Sequence, residues 1–175
     1  MTQKLSQEDY FKVLTLAPLP SIDLLVQRRD GKFLLGLRVN RPAKGWLFTF
    51  GGVILKGEKM GDAYARITET ELGVRLDIAE AESIGTWDHI YHDNFLEVEG
   101  ISTHYVVSAY LLRILQDDIT TDSQHSEHVW LDSREILEHN QVHDKVKDYF
   151  RHLLRDFPDS GIPFVYPSSL PPPSC

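Results

Sequence analysis

Residues 51–74, GGVILKGEKMGDAYARITETELGV, constrain the chain more than any other stretch. A glycine pair follows the short aromatic strand expected at Trp46–Phe50, and a glycine-bearing loop comes next. From about residue 61, Ala63, Ile67 and Leu72 supply the apolar side of a helix that stops at Gly73. The stretch therefore reads as strand, glycine-rich turn, loop and helix. Glycines let backbone approach a ligand closely, and the helix brings a few polar groups to one end of a sheet. Arg66 and Glu71 are five positions apart, on neighbouring helix faces, and Glu58 lies in the loop just before. A hard cation such as Mg²⁺ wants oxygen ligands of this kind, one or two carboxylates plus substrate phosphate.

The flanking sequence supplies the rest of the fold. Residues 6–16 read as a helix opened by Ser6 and Asp9, with Phe11, Val13 and Leu14 apolar and Pro18 and Pro20 ending it. SIDLLVQ and KFLLGLR form a hairpin about Arg29-Asp30-Gly31, and Val39–Gly45 is a loop. Strands are expected at 84–90 and 102–114, with a short one, HVWL, ending at Leu131. A last helix over about 142–155 places Val142, Val146, Tyr149, Phe150, Leu153 and Leu154 on one face. The class is α/β (α+β), a mixed sheet sandwiched between helices. One domain is expected over 1–157. Six of the nine prolines fall in 158–173, so 158–175 reads as a flexible, extended tail.

Composition narrows the function. Lys+Arg number 18 against 26 Asp+Glu, a formal charge of -8, which disfavours a nucleic-acid partner but leaves room for a small phosphate ligand. No apolar run approaches the ~20 residues of a membrane helix, and MTQKLSQEDY lacks a signal peptide's apolar stretch. The single cysteine, Cys175, cannot form an internal disulfide. These features lead us to expect a cytoplasmic protein without a membrane partner. Asp117, Asp118 and Asp122 read as a solvated loop, His139, His143 and His152 as surface, and Trp46, Phe48 and Phe50 as core.

The 51–74 stretch resembles the box of the Nudix hydrolases, G-x5-E-x7-R-E-U-x-E-E-x-G-U with U apolar. Gly52, Glu58, Arg66, Glu71, Gly73 and Val74 fall in register, whereas Ile67 and Thr70 stand where the box has acids. The multi-metal cluster of ordinary Nudix pyrophosphohydrolases is therefore not expected, and one Mg²⁺ per subunit is, with Mn²⁺ as the alternative ion. A more specific resemblance, over about residues 5–157, is to the GDP-mannose mannosyl hydrolases, whose box lacks the same two acids. It is carried by PLPSID (18–23), FLLGLRVNRPAKG (33–45), WDHIYHDNF (87–95), THYVV (103–107) and DSQHSEHVWL (122–131) as well as by the box.

That resemblance implies water attack on the anomeric carbon of a nucleotide-sugar, giving GDP and a free hexose with inversion. It implies Mg²⁺ on the Gly51 carbonyl, Glu71 and Gln124, with Arg38 and Arg66 on the diphosphate. His125 matches the general base, a task suited to an imidazole of ordinary pKa near 6.5. Asp23 matches a residue that engages the sugar or nucleotide of a neighbouring subunit, which implies a homodimer, and His89 and Tyr105 match further ligand contacts. Two positions depart from the pattern. Val53 replaces an arginine that assists the leaving diphosphate, and Phe50 replaces a proline. Two alternatives stand beside this expectation: a pyrophosphohydrolase attacking phosphorus, and a nucleotide-sugar binding module with weak or no catalysis, which Val53 favours.

Overall fold

A computed structural model describes residues 6–114, 125–155 and 161–165, with backbone alone for 125 and 126. Helix α1 (Gln7–Leu16) is capped by the Ser6 hydroxyl, which accepts from the Asp9 amide, and Ala17 ahead of Pro18 is already extended. Strands β1 (Leu19–Arg28) and β2 (Phe33–Arg38) form the expected hairpin, closed where Gly31 takes φ 85°. Then come β3 (Leu47–Phe48), β4 (Phe50–Val53), α2 (Met60–Leu72), a short 3-10 turn (Ile78–Glu80), β5 (Glu82–Tyr91), β6 (Thr103–Ile114), β7 (His125–Leu131), α3 (Ser133–Glu138) and α4 (Asp144–Leu153).

The described strands make one mixed sheet in the order β3-β2-β1-β6-β5, with β4 also on β1 and β7 also on β2. The β1–β6 pair is parallel and the other strand pairs are antiparallel. Alternation along β1 decides which helix each side chain meets. Ile22, Leu24 and Val26 pack with Ala63, Tyr64, Ile67 and Leu72 of α2, while Leu25 joins Val146, Tyr149 and Phe150 of α4 on the opposite side. The sheet is thus covered on both faces, as the sequence led us to expect.

Two expectations are corrected and one is extended. The Gly51-Gly52 pair is not a turn after the aromatic strand. It lies inside β4, opposite Asp23 and Ile22, where a Cβ on Gly51 would collide with the Ile22 carbonyl oxygen, so the strand takes glycine there. The last helix, expected over about 142–155, is found as α4, but a separate short helix, α3, opened by a reciprocal Asp132–Glu135 capping box, precedes it. Packing also does not stop at residue 157. Ile162 is buried in the α4-side core, and its carbonyl accepts from buried Gln27 Nε2 at 2.9 Å. The remainder of the proline-rich segment, the acidic loop at Asp117–Asp122 and Gln124 lie outside the described residues.

Candidate active site

Two groups of residues meet at the end of the sheet where β4 leads into α2. The first belongs to the 51–74 stretch. Glu58 and Arg66 form a two-point pair, Nε to Oε1 at 2.7 Å and Nη2 to Oε2 at 2.8 Å. Arg66 Nη2 also donates to the Val53 carbonyl at 2.9 Å, and Glu58 Oε2 accepts from the Leu55 amide at 3.0 Å. The hydrogen bonds from Arg66 hold the Glu58 carboxyl below its ordinary pKa. Arg66, expected on a diphosphate, is thus engaged in closing its own loop. Glu71 lies on the inner face of α2 and is buried. Ile67 is buried too, and its Cγ1 lies 3.3 Å from where a Cβ on Gly52 would stand. The position that carries an acid in the ordinary box is here part of the core.

The second group is a buried chain of polar side chains. Asp23 Oδ2 accepts from Thr49 Oγ1 at 3.1 Å and from the Tyr149 hydroxyl at 2.8 Å. The same hydroxyl lies 3.1 Å from His89 Nε2. Burial pushes the Asp23 carboxyl up to about 6, against the pull of Tyr149, Thr49 and the Arg38 charge. Burial lowers His89 to about 3, aided by the nearby Lys145 charge, so its ring is neutral at working pH. Asp23 Oδ1 faces β4, 2.9 Å from where a Gly51 Cβ would be. Absence of a side chain at Gly51 is what lets this carboxylate sit beside the glycine pair.

Asp23 therefore lies in its own subunit's core, 8% exposed and against its own Gly51. His89 and Tyr105 are cross-strand partners on β5 and β6. Tyr105 is hydrogen-bonded to Tyr10 of α1, and burial raises both phenols above their ordinary pKa.

Arg38 ends β2. Its Nε donates to the Pro42 carbonyl at 3.0 Å, and its guanidinium stands 5.6 Å from the centre of the Phe48 ring. The β2–β7 register shifts between Gly36 and Arg38, and the Arg38 backbone pairs with that of His125. An irregularity of this kind re-aims side chains at a strand end. Two of the expected catalytic residues are thus backbone neighbours, although they are far apart in the chain.

Beyond Phe48 lies a cleft of about 330 Å³ lined by Arg41, Lys44, Trp46, Tyr91, Asp93 and His143. Trp46 is 42% exposed and meets the His143 ring edge-on at 5.4 Å. His143, expected at the surface, is half-buried. Its Nδ1 accepts from the Lys145 amide, leaving Nε2 to carry the proton of the neutral ring. Sequence reasoning missed His143 and Tyr149. The available signal for His143 was its position just before α4, where a side chain caps the helix. Tyr149, between Val146 and Phe150 in spacing, carried only a core signal.

The oxygen donors at hand suit one hard cation. Among the described residues no group of three His, Cys, Asp or Glu is placed to hold a metal ion. Glu58 is tied to Arg66, Ile67 is apolar core and Thr70 is an exposed neutral residue. Glu71 and the Gly51 carbonyl are the expected oxygen donors of this stretch. One carboxylate and a carbonyl fit Mg²⁺, which keeps several waters and shares substrate phosphate. They do not fit a multi-metal cluster.

A model of the family described as NUDIX domain matches residues 17–153. The low-salt glycan biosynthesis protein Agl8 of Haloferax volcanii is 36% identical over 127 residues, which span 72% of this chain and 78% of that protein. The MutT protein of Methanosarcina mazei superposes with a TM-score of 0.64 at 19% identity, covering 79% of this chain and 95% of that one. The NUDIX domain of Shewanella oneidensis NrtR, in a complex with ADP ribose, superposes with a TM-score of 0.59 at 17% identity, covering 86% and 99%. At such identities the two structures speak for the fold alone.

Proposed function

Since this chain belongs to the Nudix family of hydrolases of nucleoside diphosphate derivatives, we propose that it is a nucleotide-sugar hydrolase, converting GDP-mannose or a related GDP-hexose and water to GDP and free hexose. The attack is at the anomeric carbon, with inversion. The observation that carries this reading is the burial of Ile67 against Gly52. It replaces a metal-binding acid of the phosphorus-attacking enzymes with core. The Agl8 relative, named for glycan biosynthesis, supports a sugar-nucleotide substrate, because glycan assembly draws on such donors.

Nudix hydrolases generally use divalent metals. Here Gly51, Glu71 and Gln124 would hold Mg²⁺, or Mn²⁺ in its place, and the bound cation would supply charge stabilisation to the departing diphosphate. The residues do the rest. Arg38 presents fixed donors to the diphosphate. Arg66 positions the loop by its clamp on Glu58 and Val53. Asp23 and His89 receive sugar hydroxyls, with Tyr105 beside them. His125 takes a proton from water as the oxygen bonds to carbon 1 and the carbon–oxygen bond to GDP breaks. The Trp46–Tyr91–His143 cleft, with aromatic walls and the cationic Lys44 and Arg41, suits a planar base. Val53 gives only its carbonyl, to Arg66, so cationic help for the leaving group falls to Arg38 and the metal.

Turnover in ¹⁸O-labelled water with GDP-mannose and Mg²⁺ tests the reaction. Label is expected in the hexose, and label in a phosphate would overturn the proposal. A cytoplasmic homodimer is proposed from the family resemblance. Sedimentation of the active protein checks the assembly, and a fully active monomer refutes it. Among the described residues no helix is long and apolar enough to cross a membrane.

A further inference from the structure

Tyr149 is wholly buried in α4, and its ring packs edge-on against Trp87 of β5 at 4.8 Å. By apolar surroundings alone it would be a core residue. Its hydroxyl, however, touches the two side chains assigned above to the sugar, which come from strands that do not pair with each other. Asp23 is on β1 and His89 on β5, with β6 between them.

The proton count on this bridge is fixed. A phenol has one proton. At 2.8 Å from the Asp23 carboxylate, which only accepts when ionised, Tyr149 donates that proton to Oδ2. Its oxygen must then accept from His89, so the neutral imidazole carries its hydrogen on Nε2 and leaves a lone pair on Nδ1. Thr49 supplies a second donor to the same Oδ2. Asp23 Oδ1 is the oxygen turned toward the glycine pair.

We propose that Tyr149 is a positioning residue: its hydroxyl ties Asp23 to His89 as one preoriented unit for the hexose, fixing both the His89 tautomer and the rotation of the Asp23 carboxylate. Tyr149 itself does not touch substrate. The inference rests on the nucleotide-sugar reading and deepens it, because the bridge serves the sugar half of the ligand and not the nucleotide half.

Tyr149→Phe keeps the ring and its contact with Trp87 while removing the bridge. Against wild type, kcat/KM for GDP-mannose with Mg²⁺ is expected to fall about tenfold, the usual scale for one hydrogen bond to a charged partner. Affinity for GDP alone, which has no sugar, is expected to stay within about twofold, since the bridge lies outside the nucleotide contacts. Equal losses for GDP-mannose and GDP, or no loss for either, would reduce Tyr149 to a packing residue and overturn the proposal. Long-range ¹H–¹⁵N spectra of the imidazoles give a readout that needs no turnover. Wild-type His89 is expected as the Nε2–H tautomer, with its signals moved in Tyr149→Phe. An Nδ1–H tautomer in the wild type, or unchanged His89 signals in the variant, would remove the bridge. If the wild type turns over no nucleotide-sugar, the functional reading fails on its own, and the spectra still decide whether Tyr149 holds the pair.

Discussion

Ile67 shows how much one side chain can settle. It is 1% exposed, packed with Ile22, Leu24 and Phe50, and its Cγ1 approaches the open side of Gly52. Restoring the acid of the ordinary box, Ile67→Glu, would place a carboxylate among these apolar neighbours. It would either stay ionised without adequate solvation or take up a proton. We expect a loss of about 2–4 kcal/mol of stability, measured by urea unfolding at pH 7. No gain of phosphorus-attacking activity is expected, since Glu58 stays bound to Arg66. A stable variant that releases a nucleoside monophosphate would show that the core reading of this position is wrong. The missing acid was legible in the sequence by register alone. The place of Ile67 on the apolar side of the helix was legible too, but its contact with Gly52 was not, because that depends on how α2 packs on β4.

At the scale of elements, the join between β4 and α2 depends on the Glu58–Arg66 clamp. Helix α2 has no side-chain cap at Lys59, so the loop before it is held from outside its own first turn. Arg66 reaches back to Val53 and Glu58, and Glu58 reaches the Leu55 amide. Lysine has the charge but not the planar fork. Arg66→Lys is therefore expected to cost about 1–2 kcal/mol and to speed hydrogen exchange at the Leu55 amide. Unchanged exchange there would mean that the loop is held by something else. The β1–β2 hairpin, α2, β5 and β6 were legible because alternation, turn chemistry and Gly73 agree locally. The β4 glycines were not, since only the close approach of Asp23 and Ile22 shows why a strand should contain them. Arg38 and His125 were singled out by resemblance, yet their adjacency depends on the β2–β7 register. Tyr149 was hidden because its partner Asp23 lies 126 positions away, and local spacing reports only its apolar side.

Across the whole molecule, β1 is buried on both sides, so polar groups placed on it must titrate out of water. His89, facing it from β5 through Tyr149, makes the consequence measurable as pH-dependent stability. Its folded pKa is about 3 against an ordinary 6.5, so between these values the unfolded chain binds a proton that the folded chain refuses. This contribution is present above pH 6.5 and is lost as pH falls toward 3. Asp23 acts in the opposite sense: raised from 3.8 to about 6, it favours the folded state as pH falls through that window. The wild-type profile therefore mixes two slopes, and comparing variants separates them. His89→Gln keeps an N–H donor for Tyr149 but cannot titrate. Relative to wild type, its stability at pH 4.5 compared with pH 7 should improve by on the order of 2 kcal/mol. Urea unfolding at the two pH values measures this, and the other carboxylates cancel in the comparison. Parallel profiles for the two proteins would mean that His89 takes up its proton in the folded state as readily as in the unfolded one, and that burial does not hold its ring neutral below its ordinary pKa.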